Sequence, residues 1–351
     1  MPLRPLSMRT MLWRQWQLLP SSSTISELLG RIDASLPRAL ITPIHESHGG
    51  RVTSVEVGRN YVIFQPKVRV FAIGNVMIDS GPSYSYSSSI KPFFESNNIT
   101  KLFLTHHHED HSGCVGRLLA DFPHLRIFCG SETAAIMKNA TPPHVFPMQL
   151  YEHALYGRPS VVRKSDHDRI HVLKEFEEFG SEELNSSFLL KSPGHSIDHT
   201  CLVVEDNVFL GDVFISDSTF FFRADEDIGK IISSLEKILA LENEKKGKFK
   251  FHCAHSPTLV TVEMLGNKLS YLKSFSSKCQ KLHHNDSKSP EAIAKILFPR
   301  IYTIANLPLR IGFALCGGDV SPLNMVRSVL AGSGVERREI VNLINNSGRM
   351  Q

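Results

Sequence analysis

Four histidines and two carboxylates fall within His106-His107-His108-Glu109-Asp110-His111, directly behind the apolar run Leu102-Phe103-Leu104. In an extended segment alternate side chains share a face, so His106 and His108 converge on one point while His107 points away. Ser112-Gly113-Cys114-Val115-Gly116 followed by Arg117-Leu118-Leu119-Ala120 reads as a turn into a helix. As the chain bends there, Asp110 and His111 can address a second, neighbouring point. Neutral imidazole and carboxylate are the donors that a borderline divalent ion takes, and a catalytic ion keeps one position for water. The order H-x-H-x-D-H on a strand-to-helix loop is far more specific than a general excess of histidine. It predicts two adjacent metal ions.

The elements that must present this cluster are legible around it. Arg51–Val57, Tyr61–Phe64 and Val68–Ile73 are rich in Val, Ile and Phe and are separated by Gly58-Arg59-Asn60 and Gln65-Pro66-Lys67, which predicts consecutive antiparallel strands. Val76-Met77-Ile78 is a buried strand that ends in Asp79-Ser80-Gly81. An aspartate there is costly unless it finds a partner, although Asp-Ser-Gly also reads as a plain turn. Ile90–Ser96 reads as a helix feeding the Lys101–Leu104 strand, and a second strand and helix follow at Arg126–Cys129 and Ser131–Lys138. From Thr141 to Arg169 the chain turns irregular around Pro142-Pro143, with His144, His153, His167 and His171 in or near it. No role is assigned to these four.

Phe188–Lys191 leads into Ser192-Pro193-Gly194-His195, where Pro-Gly fixes a turn and sets His195 at a strand end. Asp206-Asn207 signals a hairpin, and Val208–Phe214 reads as a buried strand with Asp212 at its end, where a carboxylate can bridge two metals with its two oxygens. The strand Phe249–Pro257 offers two further histidines, His252 and His255, three residues apart and so on opposite faces of an extended chain. Asp227–Asn243 and Val262–Phe275 carry the apolar spacing of helices that cover a sheet.

These segments together resemble the metallo-β-lactamase-fold hydrolase superfamily, in its glyoxalase-II-like or lactonase-like branch. Thr105, His106, His108, Asp110 and His111 match its T-H-x-H-x-D-H motif, Asp79 and Gly81 its V-x-I-D-x-G segment, and Pro193, Gly194, His195, Ser196 and His199 its P-G-H-[ST]-x-x-H motif. Ala254-His255-Ser256-Pro257 matches the last motif with alanine and serine where the family has glycine. The resemblance implies metal ligation by His106, His108, Asp110, His111, His195, Asp212 and His255, with Asp212 bridging. It implies a buttressing carboxylate at Asp79, and a pocket or supporting role for His199. His252 is left as a structural residue of its strand. The implied cofactor is two zinc ions, with iron or manganese also compatible with the ligand set.

The implied fold is an α+β four-layer αββα sandwich over residues 39–275, preceded by an N-terminal extension (1–38) and followed by a short C-terminal helical extension (276–351). Composition alone gives only a mixed α/β chain. The implied reaction is attack of a metal-bridging hydroxide on a small ester, thioester or lactone, with Asp110 serving as ligand and proton acceptor. Two other readings stay open: a nuclease of the same fold, and a module that holds metal without turnover.

With 42% hydrophobic and 21% charged residues among 351, the chain has the composition of a globular protein with a large core. No run approaches the roughly 20 apolar residues of a membrane span, so no membrane partner is expected. The net charge of +4 is spread without a dense basic stripe, so nucleic acid is neither implied nor excluded; the expected partner is a small-molecule substrate, and the oligomeric state is not legible. Six cysteines without a C-x-x-C pair suit buried thiols rather than a disulfide framework. The first 24 residues carry Arg4, Arg9 and Arg14 and no acid, which reads either as an organelle import segment or as a disordered tail. The expected location is accordingly the cytoplasm, or a mitochondrion or plastid. In the tail, Ser289-Pro290-Glu291 starts a helix over Glu291–Leu297, and a second is expected over Leu323–Leu330, with Cys316-Gly317-Gly318-Asp319 between them.

Overall fold

The structure, a computed structural model, describes residues 52–58, 67–139, 157, 159–178, 187–215, 222–256, 258–303 and 320–331. The N-terminal extension, the expected strand Tyr61–Phe64, His144, His153 and Cys316–Asp319 lie outside the described residues.

Among the described residues, β1 (Val52–Val57), β2 (Val68–Ile73), β3 (Val76–Ile78), β4 (Lys101–Phe103), β5 (Arg126–Cys129) and β6 (Ile170–Val172) form one sheet in sequence order. The β1–β2 and β2–β3 pairs are antiparallel, while β3–β4, β4–β5 and β5–β6 are parallel. A second sheet runs β10-β9-β8-β7, from β7 (Ser187–Lys191), β8 (Thr200–Val204), β9 (Asn207–Phe209) and β10 (Lys250–His252). Here β7–β8 and β8–β9 are antiparallel and β9–β10 parallel.

Helices cover the outer faces. Beside the first sheet lie α1 (Lys91–Ser96), α3 (Val115–Asp121) and α4 (Ser131–Asn139), with the single turn α2 (Glu109–Ser112) between β4 and α3; beside the second lie α5 (Ile228–Glu244) and α6 (Val262–His284), with α7 (Pro290–Leu297) and α8 (Pro322–Ala331) packed against them. The core shows the layering directly. Phe71, Ile73, Ile78 and Phe103 of the first sheet pack against Leu189, Leu202, Val204 and Phe209 of the second. A separate cluster joins the far face of the first sheet to Phe93, Phe94 and Leu118 of its helices, and another joins the second sheet to Leu235, Leu265, Leu272, Ile293 and Met325. An apolar face on both sides of each sheet must be covered twice, and the four-layer αββα sandwich does so.

Strand direction decides where the loops go. Parallel pairing sends the carboxyl ends of β3 and β4 to one edge. In the second sheet β7, β9 and β10 run the same way, so their carboxyl ends also share an edge. Thr200 N–H donates to Thr105 O at 2.8 Å and Arg69 N–H to Ala254 O at 2.7 Å, stitching the two edges together. Asp79, the histidine run, His195, Asp212 and His255 all follow these strand ends.

Four elements differ from the sequence reading. The strand expected over Phe249–Pro257 is confined to Lys250–His252, so His255 lies on a turn beyond it. The Val208–Phe214 strand stops at Phe209, and Gly211-Asp212 lies on a turn in which Gly211 has φ of +52°. The helix expected to end at Phe275 runs to His284, because Phe275, Cys279 and the partly buried Leu282 continue its apolar stripe through the polar composition; a division at 275 therefore falls inside α6. The helix expected from Ile90 begins at Lys91, after a wide turn over Tyr86–Ile90. Cys114, Cys129, Cys201, Cys253 and Cys279 are buried free thiols, and burial pushes the last four up to about 12. No helix among the described residues is long and apolar enough to cross a membrane.

Candidate metal centre

The extended segment before α2 brings the ring nitrogens of His106 and His108 together, and the turn after β7 adds His195 from the other sheet. His106 Nε2 lies 2.9 Å from His108 Nδ1, and His195 Nε2 lies 3.0 Å from the same atom. A tetrahedral ion with bonds of about 2.05 Å sets its ligands about 3.3 Å apart, so these three nitrogens stand nearly at the spacing of one ion's coordination shell. The first turn of α2 then aims Asp110 and His111 at a second point, where His255 arrives from the end of β10. His255 Nε2 is 3.5 Å from Asp110 Oδ2, and His111 Nε2 is 3.8 Å from the same oxygen. Asp212 stands between the groups: Oδ1 is 3.3 Å from His111 Nε2, while Oδ2 is 3.4 Å from His195 Nε2 and 3.2 Å from His255 Nε2.

All seven residues expected as ligands thus meet at one place. His252 does not: its Nε2 lies 2.9 Å from Asn207 Oδ1 and its ring stacks on Phe209 inside the sandwich. His107 turns away from the cluster, as alternation predicts, and pairs through Nδ1 with Asp198 Oδ1 at 2.9 Å.

Around the cluster several imidazoles are oriented through their other nitrogen. Asp79, at φ of +61°, accepts from Thr105 N–H (2.8 Å) and from His111 Nδ1 (2.7 Å), and the Thr105 hydroxyl lies 3.0 Å from His106 Nδ1. Because a carboxylate only accepts, His111 keeps its proton on Nδ1 and turns Nε2 inward. His199 accepts the Asp212 backbone N–H on Nε2 at 2.9 Å, so its Nδ1 carries the proton toward Ser192, whose carbonyl is 3.1 Å away. His199 is thus a support for the Asp212 turn, not a wall of the pocket.

Donor chemistry fits a divalent ion. His111 Nε2 and Asp212 Oδ1 are fully buried, make no well-formed hydrogen bond, and face each other at 3.3 Å. Buried donor atoms left without a well-formed hydrogen bond are costly in a protein interior, and a shared cation would satisfy both. The groups His106–His108–His195, His106–His111–Asp212 and Asp110–His111–His255 each hold their ligand atoms within 4.8 Å of one another.

Comparison with known proteins agrees with this architecture. Residues 71–268 match the family model described as the metallo-beta-lactamase superfamily. The chain belongs to that superfamily. It is 27% identical over 213 residues to a hydroxyacylglutathione hydrolase of Vibrio vulnificus, covering 58% of this chain and 69% of the relative. It is 29% identical over 175 residues to an atrochrysone carboxyl ACP thioesterase of Pseudocercospora fijiensis, covering 49% of this chain but only 39% of that protein. Among solved structures, a beta-lactamase domain protein from Burkholderia ambifaria superposes with a TM-score of 0.58 at 15% identity, covering 88% of this chain and 95% of that one, a likeness of fold.

In this superfamily member burial and charge divide the cluster. Burial, reinforced by His111 for His106 and by Arg223 for His108, holds both imidazoles well below their usual value, so their lone pairs are available. Burial would also lower His111 and His255, but Asp212 and Asp110 beside them outweigh it and raise both well above. Conversely, burial would raise Asp110 and Asp212, and the facing imidazoles His111 and His255 outweigh it. Two buried carboxylates here demand positive charge, which protons or divalent cations can supply.

Other supports were not legible in the sequence. Glu226, just ahead of α5, lies 2.9 Å from His195 Nδ1, and it outweighs burial to raise that imidazole. Asp198 holds His107 and also accepts from Ser196 Oγ at 2.7 Å and Thr133 Oγ1 at 2.9 Å. Both are acids in polar loops, and only the contact across the fold distinguishes them from solvated ones.

Proposed function

We propose that the protein is a metal-dependent hydrolase that holds two zinc-type ions and cleaves a small ester, thioester or lactone. His106, His108 and His195 would hold one ion; Asp110, His111 and His255 the other; Asp212 would span both. The observation that carries the reading is the convergence of these candidate ligand atoms within 4.8 Å of one another in each group. The names of the Vibrio hydrolase and the Pseudocercospora thioesterase support a thioester among the candidate substrates.

When bound, such ions lower the pKa of a coordinated water toward neutrality and stabilise negative charge on a carbonyl oxygen. The chain's own residues supply the rest. Neutral His106 and His108 offer lone pairs without first losing a proton. Asp110, kept ionised against the pull of burial, can accept the proton of the attacking water and return it to the leaving oxygen or sulfur. Water adds to the carbonyl carbon, the C–S or C–O bond breaks, and an acid and a thiol or alcohol result. Asp79, Glu226 and His199 fix ring and loop orientation.

The test is metal analysis of purified protein together with a panel of thioesters, lactones, phosphodiesters and RNA. About two ions per chain are expected, falling to about one or fewer in the His106→Ala/His108→Ala double variant, with turnover confined to acyl substrates. Unchanged metal content in that variant, or cleavage of phosphodiesters alone, overturns the reading.

A further inference from the structure

The C-terminal extension reaches the metal centre through the segment that leads into α5, residues 222–227. α8 ties that segment down at both ends. At its start the Phe222 carbonyl accepts from Ser321 N–H at 2.9 Å and from Nδ2 of the buried Asn324 at 3.3 Å, and Arg223 and Val320 form an antiparallel bridge. Where the segment enters α5, Ile228 N–H donates to Ser328 Oγ at 2.9 Å, a contact across 100 positions of chain. Phe222 and Ile228 also share one apolar cluster with Met325, Val326 and Val329 of α8.

The same segment is fastened to the turn that carries His195. Asp227 N–H donates to Gly194 O at 2.8 Å, and Ser234 Oγ of α5 donates to Pro193 O at 2.8 Å. The fit at Gly194 is close: it has φ of +140°, and a Cβ there would lie 2.5 Å from Ile231 N. Between these anchors Glu226 Oε1 lies 2.9 Å from His195 Nδ1, with both side chains buried. A carboxylate only accepts, so the contact keeps the His195 proton on Nδ1 and leaves Nε2 for an ion.

That contact depends on where the backbone puts Glu226. Apart from the single bridge, residues 222–227 belong to neither helix nor strand, and a turn closed by Glu226 N–H to Arg223 O at 3.3 Å is their internal bond. Their position is therefore set from outside, by α8 on one side and the His195 turn on the other.

Resting on the metal-holding part of the reading above, we infer that α8 sets the affinity of the ion held at His195, with Asn324 and Ser328 as positioning residues that act through Glu226.

Zinc affinities of wild type, Glu226→Ala, Asn324→Ala/Ser328→Ala and the triple variant, measured by competition with a chelator, test this. Hydrogen exchange of wild type and Glu226→Ala, with and without zinc, provides a second measurement. Glu226→Ala should weaken one of the two ions about 10–100-fold and spare the other, the usual loss when the partner of a metal-ligating histidine is removed. The α8 pair should weaken the same ion on the order of tenfold, and by less once Glu226 is already alanine. Because such coupling is reciprocal, zinc should slow exchange of the Ile228 and Ser321 amides in wild type, and less so in Glu226→Ala. Unaltered affinity in Glu226→Ala or in the α8 pair, an equal α8 loss with and without Glu226, or no effect of zinc on those amides overturns the inference, while two ions bound to wild type leave the hydrolase reading standing. The exchange experiment needs only wild type and Glu226→Ala, so it decides the matter even where the α8 pair does not fold. Absence of zinc binding by wild type ends both readings, and it shows in the first titration, before any substitution is made.

Discussion

Replacing Asp198 with alanine should loosen the joint between the two halves of the metal centre. Its side chain holds His107, which lies between the candidate ligands His106 and His108, and Ser196, which follows the candidate ligand His195, and it also accepts from Thr133 at the start of α4. Each hydrogen bond to a charged acceptor contributes about 1.5–3 kcal/mol, but the desolvation of a fully buried carboxylate cancels much of the sum. Removing one member of a buried, hydrogen-bonded pair costs about 3–5 kcal/mol, and that is the loss expected for Asp198→Ala. Because the joint aligns His195 with His108, metal affinity should fall about 10–100-fold as well.

The pH dependence carries a definite sign. His107 and the two hydroxyls outweigh burial and hold the Asp198 carboxyl well below the usual range. The stabilisation is therefore fully present above the unfolded carboxyl value of about 4, and disappears as pH falls through the lower folded value. Urea denaturation of wild type and Asp198→Ala at several pH values, with metal titration at neutral pH, measures both effects. A stability difference under about 1 kcal/mol at pH 7, or one that widens in acid, would refute the reasoning.

Two further outcomes follow from the same geometry. His255→Ala should lose metal and about a hundredfold or more in hydrolysis rate, whereas His252→Ala should keep both and lose only packing and the Asn207 bond; metal content and turnover of the pair decide between them, and the reverse result would refute the assignment of His255. Gly211→Ala should cost about 2–5 kcal/mol, since the residue sits at φ of +52° and a Cβ would lie 2.6 Å from His199 Nε2 and 3.0 Å from Thr105 Cβ. Metal content should drop with it as Asp212 is pushed from the cluster, and an unchanged denaturation midpoint would contradict the account.

Much of the candidate centre was readable because its candidate ligands are concentrated in short motifs. His106, His108, Asp110 and His111 sit within one turn and a strand end, where period-two alternation followed by a helical bend already separates two target points. His195 and Asp212 carry local turn signals, Pro193-Gly194 and Gly211, that mark a backbone bent to present a side chain. The preference for His255 over His252 came from strand alternation, but β10 ends at His252 and His255 stands on the turn beyond it, so the turn and not alternation brings it to the cluster. Burial likewise fixed the main strands and both long helices through their apolar periodicity.

Tertiary structure alone decided what the supporting residues do. Asp198 meets His107 across 91 positions of chain, and Glu226 meets His195 only because α5 packs beside the turn that follows β7. No local spacing encodes such contacts, because they depend on which strand ends share an edge. The length of α6 was hidden for a related reason: Cys279 and Leu282 continue its buried stripe beneath a surface of lysine, histidine and serine that by composition reads as loop. Lys268 shows the converse. In sequence it is one lysine among many on an amphipathic helix, and only the packing of α6 over the second sheet turns it from a solvated charge into part of the wall beside the metal centre.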